Sequence, residues 1–238
     1  MSPLELAFVV IASYLIGAIP MGYLTARVLR GIDIRQYGSG VIGATNVLRV
    51  LGRGPFVGVM VADVLKGYIP VLVAWYLFHT HDLQVASGIA AVLGHDYPVY
   101  IGFRGGRGVA VSFGVYAALG MPIFVGLVAV GLFIVLTLRY MSVMSMVTVP
   151  LGAAVFLLLA VFHVGGDFTY TKAIFGAFAT LFVLMTHIPN IGRLIRGTEP
   201  KIGQPEDLTE PGAEAGGQQA PEAAASGHRP VRPRLTPR

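Results

Sequence analysis

The chain has no cysteine, one tryptophan and few charges, with only 12% of its 238 residues Asp, Glu, Lys or Arg. Without cysteine there is no disulfide framework, no thiolate nucleophile and no cysteine metal site, so any chemistry falls to other side chains. An ordinary soluble domain is about a quarter charged. The scarcity here, beside 55% hydrophobic residues and a mean hydropathy of +0.71, argues against a water-soluble globular protein. The net charge of +5 would in a soluble chain suggest nucleic acid. Most of the cations, however, flank apolar runs, where membrane topology accounts for them, and no nucleic-acid partner is expected.

At about 20 apolar residues per crossing, the expected spans are Leu4 to Ala26, Pro55 to Phe78, Leu83 to Ile101, Val109 to Leu138, Val143 to Phe162 and Tyr170 to Ile191. The first cations, Arg27 and Arg30, follow the first apolar run. That is the reverse of a cleavable leader, so this segment is expected to stay as a helix with its N-terminus outside. The stretch from Val109 to Leu138 carries no charge and is too long for one upright crossing. Gly120-Met121-Pro122 near its middle is a turn signal.

Lys and Arg near short loops prefer the cytoplasmic face. Dividing that stretch in two puts fifteen Lys and Arg on one side against Lys172 alone on the other, whereas a single helix divides them eight to eight. The expected fold is therefore all-α: a polytopic membrane protein of seven transmembrane helices, N-terminus outside and C-terminus cytoplasmic. It occupies residues 1–202. Residues 203–238, rich in Pro, Gly, Ala, Glu and Gln, are expected to be a disordered cytoplasmic tail.

This topology gathers the unusual segments on one face. The first loop, Gly38-Ser39-Gly40-Val41-Ile42-Gly43-Ala44-Thr45-Asn46-Val47-Leu48-Arg49, combines glycines with Ser39, Thr45, Asn46 and Arg49. Glycines let backbone N–H groups approach an anion closely, and anion binding explains this composition better than a flexible connector does. The second carries Gly94-His95-Asp96 and then Phe103-Arg104-Gly105-Gly106-Arg107-Gly108 before an apolar helix, a pattern suited to phosphate but lacking the Walker ending. His95 alone reads as a packed polar residue.

In the third loop Ser142 and Ser145 are three apart, and helix capping is the simpler role for one of them. The last span ends in His187-Ile188-Pro189-Asn190, placing an imidazole and an amide at the same interface, with Pro189 ending the helix early. Asp63 and Lys66, three apart inside the second span, are expected to form an ion pair. The carboxylates are scattered, and no histidine pair has a convincing third ligand, so no metal site is expected.

Together these segments resemble the bacterial membrane-integral acyl-phosphate:glycerol-3-phosphate acyltransferases. That family carries Gly-Ser-Gly-Asn-x-Gly-Ala-Thr-Asn, Gly-Gly-Lys-Gly and His-x-x-Asn-Ile motifs. The likeness runs from Gly17 to Lys201 and includes Asp63-Val64-Leu65-Lys66-Gly67, Gly94-His95 and Gly197-Thr198-Glu199-Pro200-Lys201. It implies a seven-helix bundle that transfers a fatty acyl group from acyl phosphate to the sn-1 hydroxyl of glycerol 3-phosphate, forming lysophosphatidic acid without a cofactor. It further implies a multi-pass protein of the bacterial inner membrane, with its site on the cytoplasmic face and a functional link to the enzyme that makes acyl phosphate.

On that resemblance Ser39, Arg49, Ser142, His187 and Asn190 form the catalytic set. Asn46, Arg104, Gly105, Gly106, Arg107 and Gly108 hold substrate phosphate, and Glu199 braces the loops. Val41 replaces the family's usual asparagine, and Arg107 its usual lysine, which keeps a permanent charge but removes a proton-accepting amine. None of the six histidines is followed five positions on by aspartate, so the His-x-x-x-x-Asp signature of the soluble-type glycerolipid acyltransferases is absent.

Two other readings compete. Gly- and Pro-interrupted helices with intramembrane Asp63 and Lys66 suit a transporter, but the chain shows no paired halves and its polar motifs sit at one face rather than the midplane. A non-enzymatic assembly factor has no need of phosphate-type loops.

Overall fold

The computed structural model describes residues 2–164 and 169–203, so the tail expected from Gly203 onward lies, after its first residue, outside the described residues. Every regular element among the described residues is helical: α1 (Pro3–Gly17), α2 (Met21–Arg30), α3 (Ala44–Leu51), α4 (Arg53–Phe78), α5 (His81–Asp96), α6 (Val109–Leu119), α7 (Met121–Leu138), α8 (Met141–Val161), α9 (Tyr170–Thr186) and α10 (Ile188–Ile195), with two short 3-10 turns.

Four stretches are long and apolar enough to cross a membrane, namely Pro3–Arg30, Arg53–Phe78, Met121–Leu138 and Met141–Val161. The pair α9 and α10, bent by 55°, makes a fifth if counted as one span, and α6 is shorter and apolar. The protein is thus an all-helical, polytopic membrane protein.

Local chemistry sets several boundaries. Ser2 and Glu5 form a reciprocal capping box at the start of α1, Glu5 N–H donating to Ser2 Oγ at 3.2 Å and Ser2 N–H to Glu5 Oε2 at 2.7 Å. The first expected span is not continuous, because Pro20 has no N–H to extend the helix and α1 gives way to α2 over Ala18 to Pro20. The turn expected at Gly120 does separate α6 from α7. The third expected span is shorter than the hydropathy suggested, since α5 ends at Asp96 ahead of Pro98. The last helix breaks at His187, just before Pro189, and α10 continues at an angle.

The core helices touch backbone to backbone. A Cβ on Gly17 of α1 would collide with the backbone of Ala91 on α5, and one on Gly94 of α5 with the backbone of Tyr14. Gly67 of α4 against Val111, and Gly114 of α6 against Val64, repeat the arrangement. Where lipid is as apolar as leucine, such close approach replaces the hydrophobic effect as the force that joins helices. The Ser13 and Ser87 hydroxyls add a buried hydrogen bond of 2.8 Å between α1 and α5.

A main core gathers around Tyr116, whose ring stacks on Phe156 at 5.5 Å and whose hydroxyl donates to Val149 O at 2.8 Å. A second, smaller core of Ala26, Ile34, Ile42, Val47, Val50 and Val59 lies under the first loop and fixes it against α2 and α4. Apolar side chains that face outward, such as Phe8, Val61, Leu132, Phe133, Leu158 and Leu181, form the surface offered to lipid.

Candidate active site

Asn46 organises the first loop. Its side chain is fully buried, accepts from Ser39 N–H at 2.9 Å, and donates to the carbonyls of Ile34, Tyr37 and Val41 at 3.2, 3.1 and 2.8 Å. An amide spent in this way shapes the loop. Gly38 lies against Asn46 Oδ1 with φ +57°, so neither a Cβ nor its usual backbone conformation would fit there. Ser39 and Arg49 of this loop are both half-buried. At its N-terminus α3 has no side-chain cap.

Arg35, which the sequence marked only as a topological cation, braces this loop. It pairs with Asp33 at 2.8 Å and donates to Ile101 O at 2.7 Å, tying the first loop to the second. The hydrogen bonds from Arg35 hold the Asp33 carboxyl below the usual carboxylate range, against a smaller opposing effect of burial.

The glycines of the second loop make close contacts with the end of α5. Gly105 and Gly106 give their N–H groups to the carbonyls of Asp96 and His95, each at 3.1 Å, instead of presenting them to an anion. Their lack of side chain is what lets the loop fold onto the end of α5. A Cβ on Gly105 would meet the His95 and Asp96 carbonyls, and one on Gly106 the His95 ring. Gly105 O accepts from Ile42 N–H at 3.4 Å, so the two loops touch. Gly108, with φ +68°, opens α6 without a side-chain cap. Arg104 is exposed, whereas Arg107 is half-buried.

Around Arg107 the structure gathers most of the remaining candidates. Burial first, then the nearby Arg193 and Arg49, push the Arg107 guanidinium below its ordinary range, and Glu199 and Asp96 only partly oppose this. Arg49 and Arg193 therefore lie within electrostatic reach of Arg107.

Glu199 anchors its far side, accepting from Asn190 Nδ2 at 2.7 Å and from Arg193 Nε at 2.8 Å. Burial raises its carboxyl, but the hydrogen-bonding neighbours Asn190, Ser142 and Arg193 outweigh that and leave it lowered. The segment bearing Glu199 is docked beside Ser142 by Ile202, whose N–H donates to Arg139 O at 2.8 Å and whose carbonyl accepts from Arg139 Nη2 at 2.7 Å.

Neither serine of the third loop caps α8, because the helix starts at Met141, ahead of both. Ser145 Oγ donates to Met141 O at 2.9 Å, while Ser142 Oγ is buried beside the Glu199 carboxylate with no bond of good geometry.

His187 is buried within electrostatic reach of Arg107, Arg193 and Glu199. Its Nδ1 lies 2.8 Å from Val183 O. A carbonyl only accepts, so Nδ1 carries the hydrogen and Nε2 keeps a lone pair in the neutral ring. His187, Asn190 and Arg193 recur every third residue on one side of the bend, a spacing visible in the sequence that singles out Arg193. Ile188, Ile191 and Ile195 are exposed on the remainder of α10. No group of three or more His, Asp or Glu among the described residues is arranged to hold a metal ion.

The site thus sets guanidinium groups beside an imidazole with an open lone pair, where the loops meet the ends of the helices. The family model described as glycerol-3-phosphate acyltransferase matches residues 7–197. The glycerol-3-phosphate acyltransferase of Parasynechococcus marenigrum (strain WH8102) is 46% identical over 193 residues, spanning 80% of this chain and 87% of that protein. That of Halalkalibacterium halodurans is 41% identical over 205 residues, covering 84% and 97%.

Among solved structures, the glycerol 3-phosphate form of PlsY (YgiH), an integral membrane glycerol 3-phosphate acyltransferase, superposes with a TM-score of 0.75 at 36% identity, covering 90% of this chain and 99% of that one. Its lysophosphatidic acid form gives 0.73 at 37% identity, covering 83% and 95%. Matched in sequence through its membrane part and alike in fold, the chain belongs to the glycerol-3-phosphate acyltransferase family.

Proposed function

We propose that this acyltransferase takes its acyl group from an acyl phosphate and delivers it to the sn-1 hydroxyl of glycerol 3-phosphate, yielding lysophosphatidic acid and inorganic phosphate. The observation that carries the reading is the convergence of Arg49 and Arg193 on Arg107, with His187 in reach of Arg107 and Arg193. Both substrates carry phosphate and the leaving group is phosphate, so fixed guanidinium groups suit every stage of the reaction.

An acyl phosphate is already activated. The substrate hydroxyl attacks the acyl carbon, the bond from that carbon to the bridging phosphate oxygen breaks, and the hydroxyl proton passes to His187 Nε2 or to a substrate phosphate oxygen. No acyl-enzyme and no cofactor are required, and alignment does most of the work. Ser39 and Arg49 receive one phosphate, and Arg107 with the start of α6 receives the other. Asn190, Ser142 and Glu199 fix the wall that holds His187, and Arg104 adds a cation at the rim.

The distribution of Lys and Arg supports seven crossings of a bacterial inner membrane, N-terminus out, with the site on the cytoplasmic face where the enzyme that makes acyl phosphate would supply it.

The test is lysophosphatidic acid formation by the purified protein from glycerol 3-phosphate with acyl phosphate, acyl-CoA or acyl carrier protein as donor. Product from acyl phosphate alone supports the reading, and product from a thioester donor alone refutes the donor assignment. An acyl group trapped on Ser39 or Ser142 would refute direct transfer.

A further inference from the structure

Asp63 and Lys66 form their expected ion pair, at 3.0 Å, but its position reaches further than one helix. Lys66 Nζ also donates to Ile19 O at 2.9 Å, a carbonyl at the break between α1 and α2 that accepts as well from Met21 N–H at 3.0 Å. From there α2 runs directly beneath the first loop, with Gly22 packed against the Ile42 carbonyl.

On the other side Asp63 Oδ1 lies 3.8 Å from His95 Nδ1, and His95 Nε2 lies 3.9 Å from Asp96 Oδ1. These separations exceed hydrogen-bond length, and His95 Nδ1 and Asp63 Oδ2 lack a hydrogen-bond partner. The His95 ring fills the space that a Cβ on Gly106 would need, and its carbonyl accepts from Gly106 N–H. Lys66, Asp63, His95 and Asp96 are each no more than 5% exposed.

A row of buried charged and polar groups therefore runs from the α1–α2 break to the underside of the second loop. Well-packed apolar residues of similar volume are often as stable as such a row, so stability alone does not explain it. What it supplies is a fixed distance. We propose that Lys66, acting through Asp63 and His95, is a positioning residue that sets the separation between the loop bearing Arg49 and the loop bearing Arg107, and hence between the two bound phosphates. This rests on the two-phosphate reading above. Lys66 and His95 touch neither substrate.

The test uses inhibition constants, which do not depend on how much of a preparation is folded. Lysophosphatidic acid formation by the full chain, by Lys66→Met and by His95→Gln is inhibited with methylphosphonate and with ethane-1,2-, propane-1,3- and pentane-1,5-bisphosphonate. In the parent, one bisphosphonate should bind about tenfold more tightly than methylphosphonate, as linking two anions of the right span requires. In the variants that preference should shrink roughly fivefold or more while the methylphosphonate constant holds.

If Lys66→Met does not fold, His95→Gln carries the comparison. Variants that keep the parent's span preference would overturn the proposal, as would a parent that prefers no span. A parent that forms no lysophosphatidic acid would instead defeat the activity reading.

Discussion

Asn190 donates to Glu199 at 2.7 Å across the end of α10, while Arg193 holds the other oxygen of the same carboxylate at 2.8 Å. One carboxylate thus fixes both the Asn190 amide and the Arg193 guanidinium. Glu199→Gln keeps the shape but removes the charge and puts an amide where Asn190 and Arg193 need an acceptor. The expected loss is about 1.5–3 kcal/mol, the value of hydrogen bonds to a charged group. A lower thermal midpoint in detergent, with activity falling alongside it, would bear this out, and an unchanged midpoint would count against it.

The same carboxylate gives the pH dependence its sign. Its pKa in the folded protein is lowered from the ordinary 4.5, so its stabilising contribution is complete above that value and is lost as pH falls through the folded pKa. Thermal midpoints measured from neutral pH down to acid should show an acid limb that is smaller in Glu199→Gln. An acid limb of equal size in both proteins would assign it elsewhere.

Asn46→Ala should weaken the first loop by removing the donors to three carbonyls and the acceptor for Ser39 N–H. Each buried group left unpaired costs roughly 1–3 kcal/mol. Asn46→Asp keeps the acceptor yet sets a carboxylate against the carbonyls of Ile34, Tyr37 and Val41, so it should be no more stable than the alanine variant. Melting of the two variants side by side tests the order.

Arg107→Ala removes the guanidinium on which Arg49 and Arg193 converge and should cut kcat/KM for glycerol 3-phosphate about 100- to 1,000-fold, the scale seen when a preorganised charge-stabilising donor is lost. Arg107→Lys retains the charge without the two-pronged geometry and should fall between. Steady-state kinetics with each substrate varied in turn would decide, and equal losses in the two variants would mean that charge contributes nothing.

Two glycines separate packing from ligand contact. A Cβ on Gly106 would overlap the His95 ring, so Gly106→Ala should lower the thermal midpoint and activity together. Gly43 has φ −67° and nothing within 4 Å of its added Cβ, so Gly43→Ala should melt like the parent. If activity alone falls in Gly43→Ala, the empty space there is where a substrate sits.

Hydropathy located α1, α4, α7, α8 and α9 because crossing a membrane imposes length and composition on each segment separately. The breaks at Pro20, Gly120 and His187 also carry local marks, a proline or a Gly-x-Pro turn. The positive-charge count brought Arg49, Arg107 and His187 to one face before any coordinates. Four assignments required the folded chain. Asn46 turned inward, the N–H groups of Gly105 and Gly106 went to α5, Arg35 reached across to Ile101, and Lys66 found Ile19. Each depends on which backbone carbonyl lies nearby once distant segments have met, and residue type and spacing do not encode that.

The 55° bend at His187 has a consequence for traffic through the site. Because α10 presents His187, Asn190 and Arg193 to the site and Ile188, Ile191 and Ile195 to its surroundings, the wall there is a single helix thick, ionic within and greasy without. Under the proposed reaction, a substrate with a phosphate head and a fatty tail can keep its tail dissolved in the leaflet throughout. Donor and product then arrive and leave by sliding in two dimensions, and turnover follows the mole fraction of donor in the leaflet instead of its concentration in water.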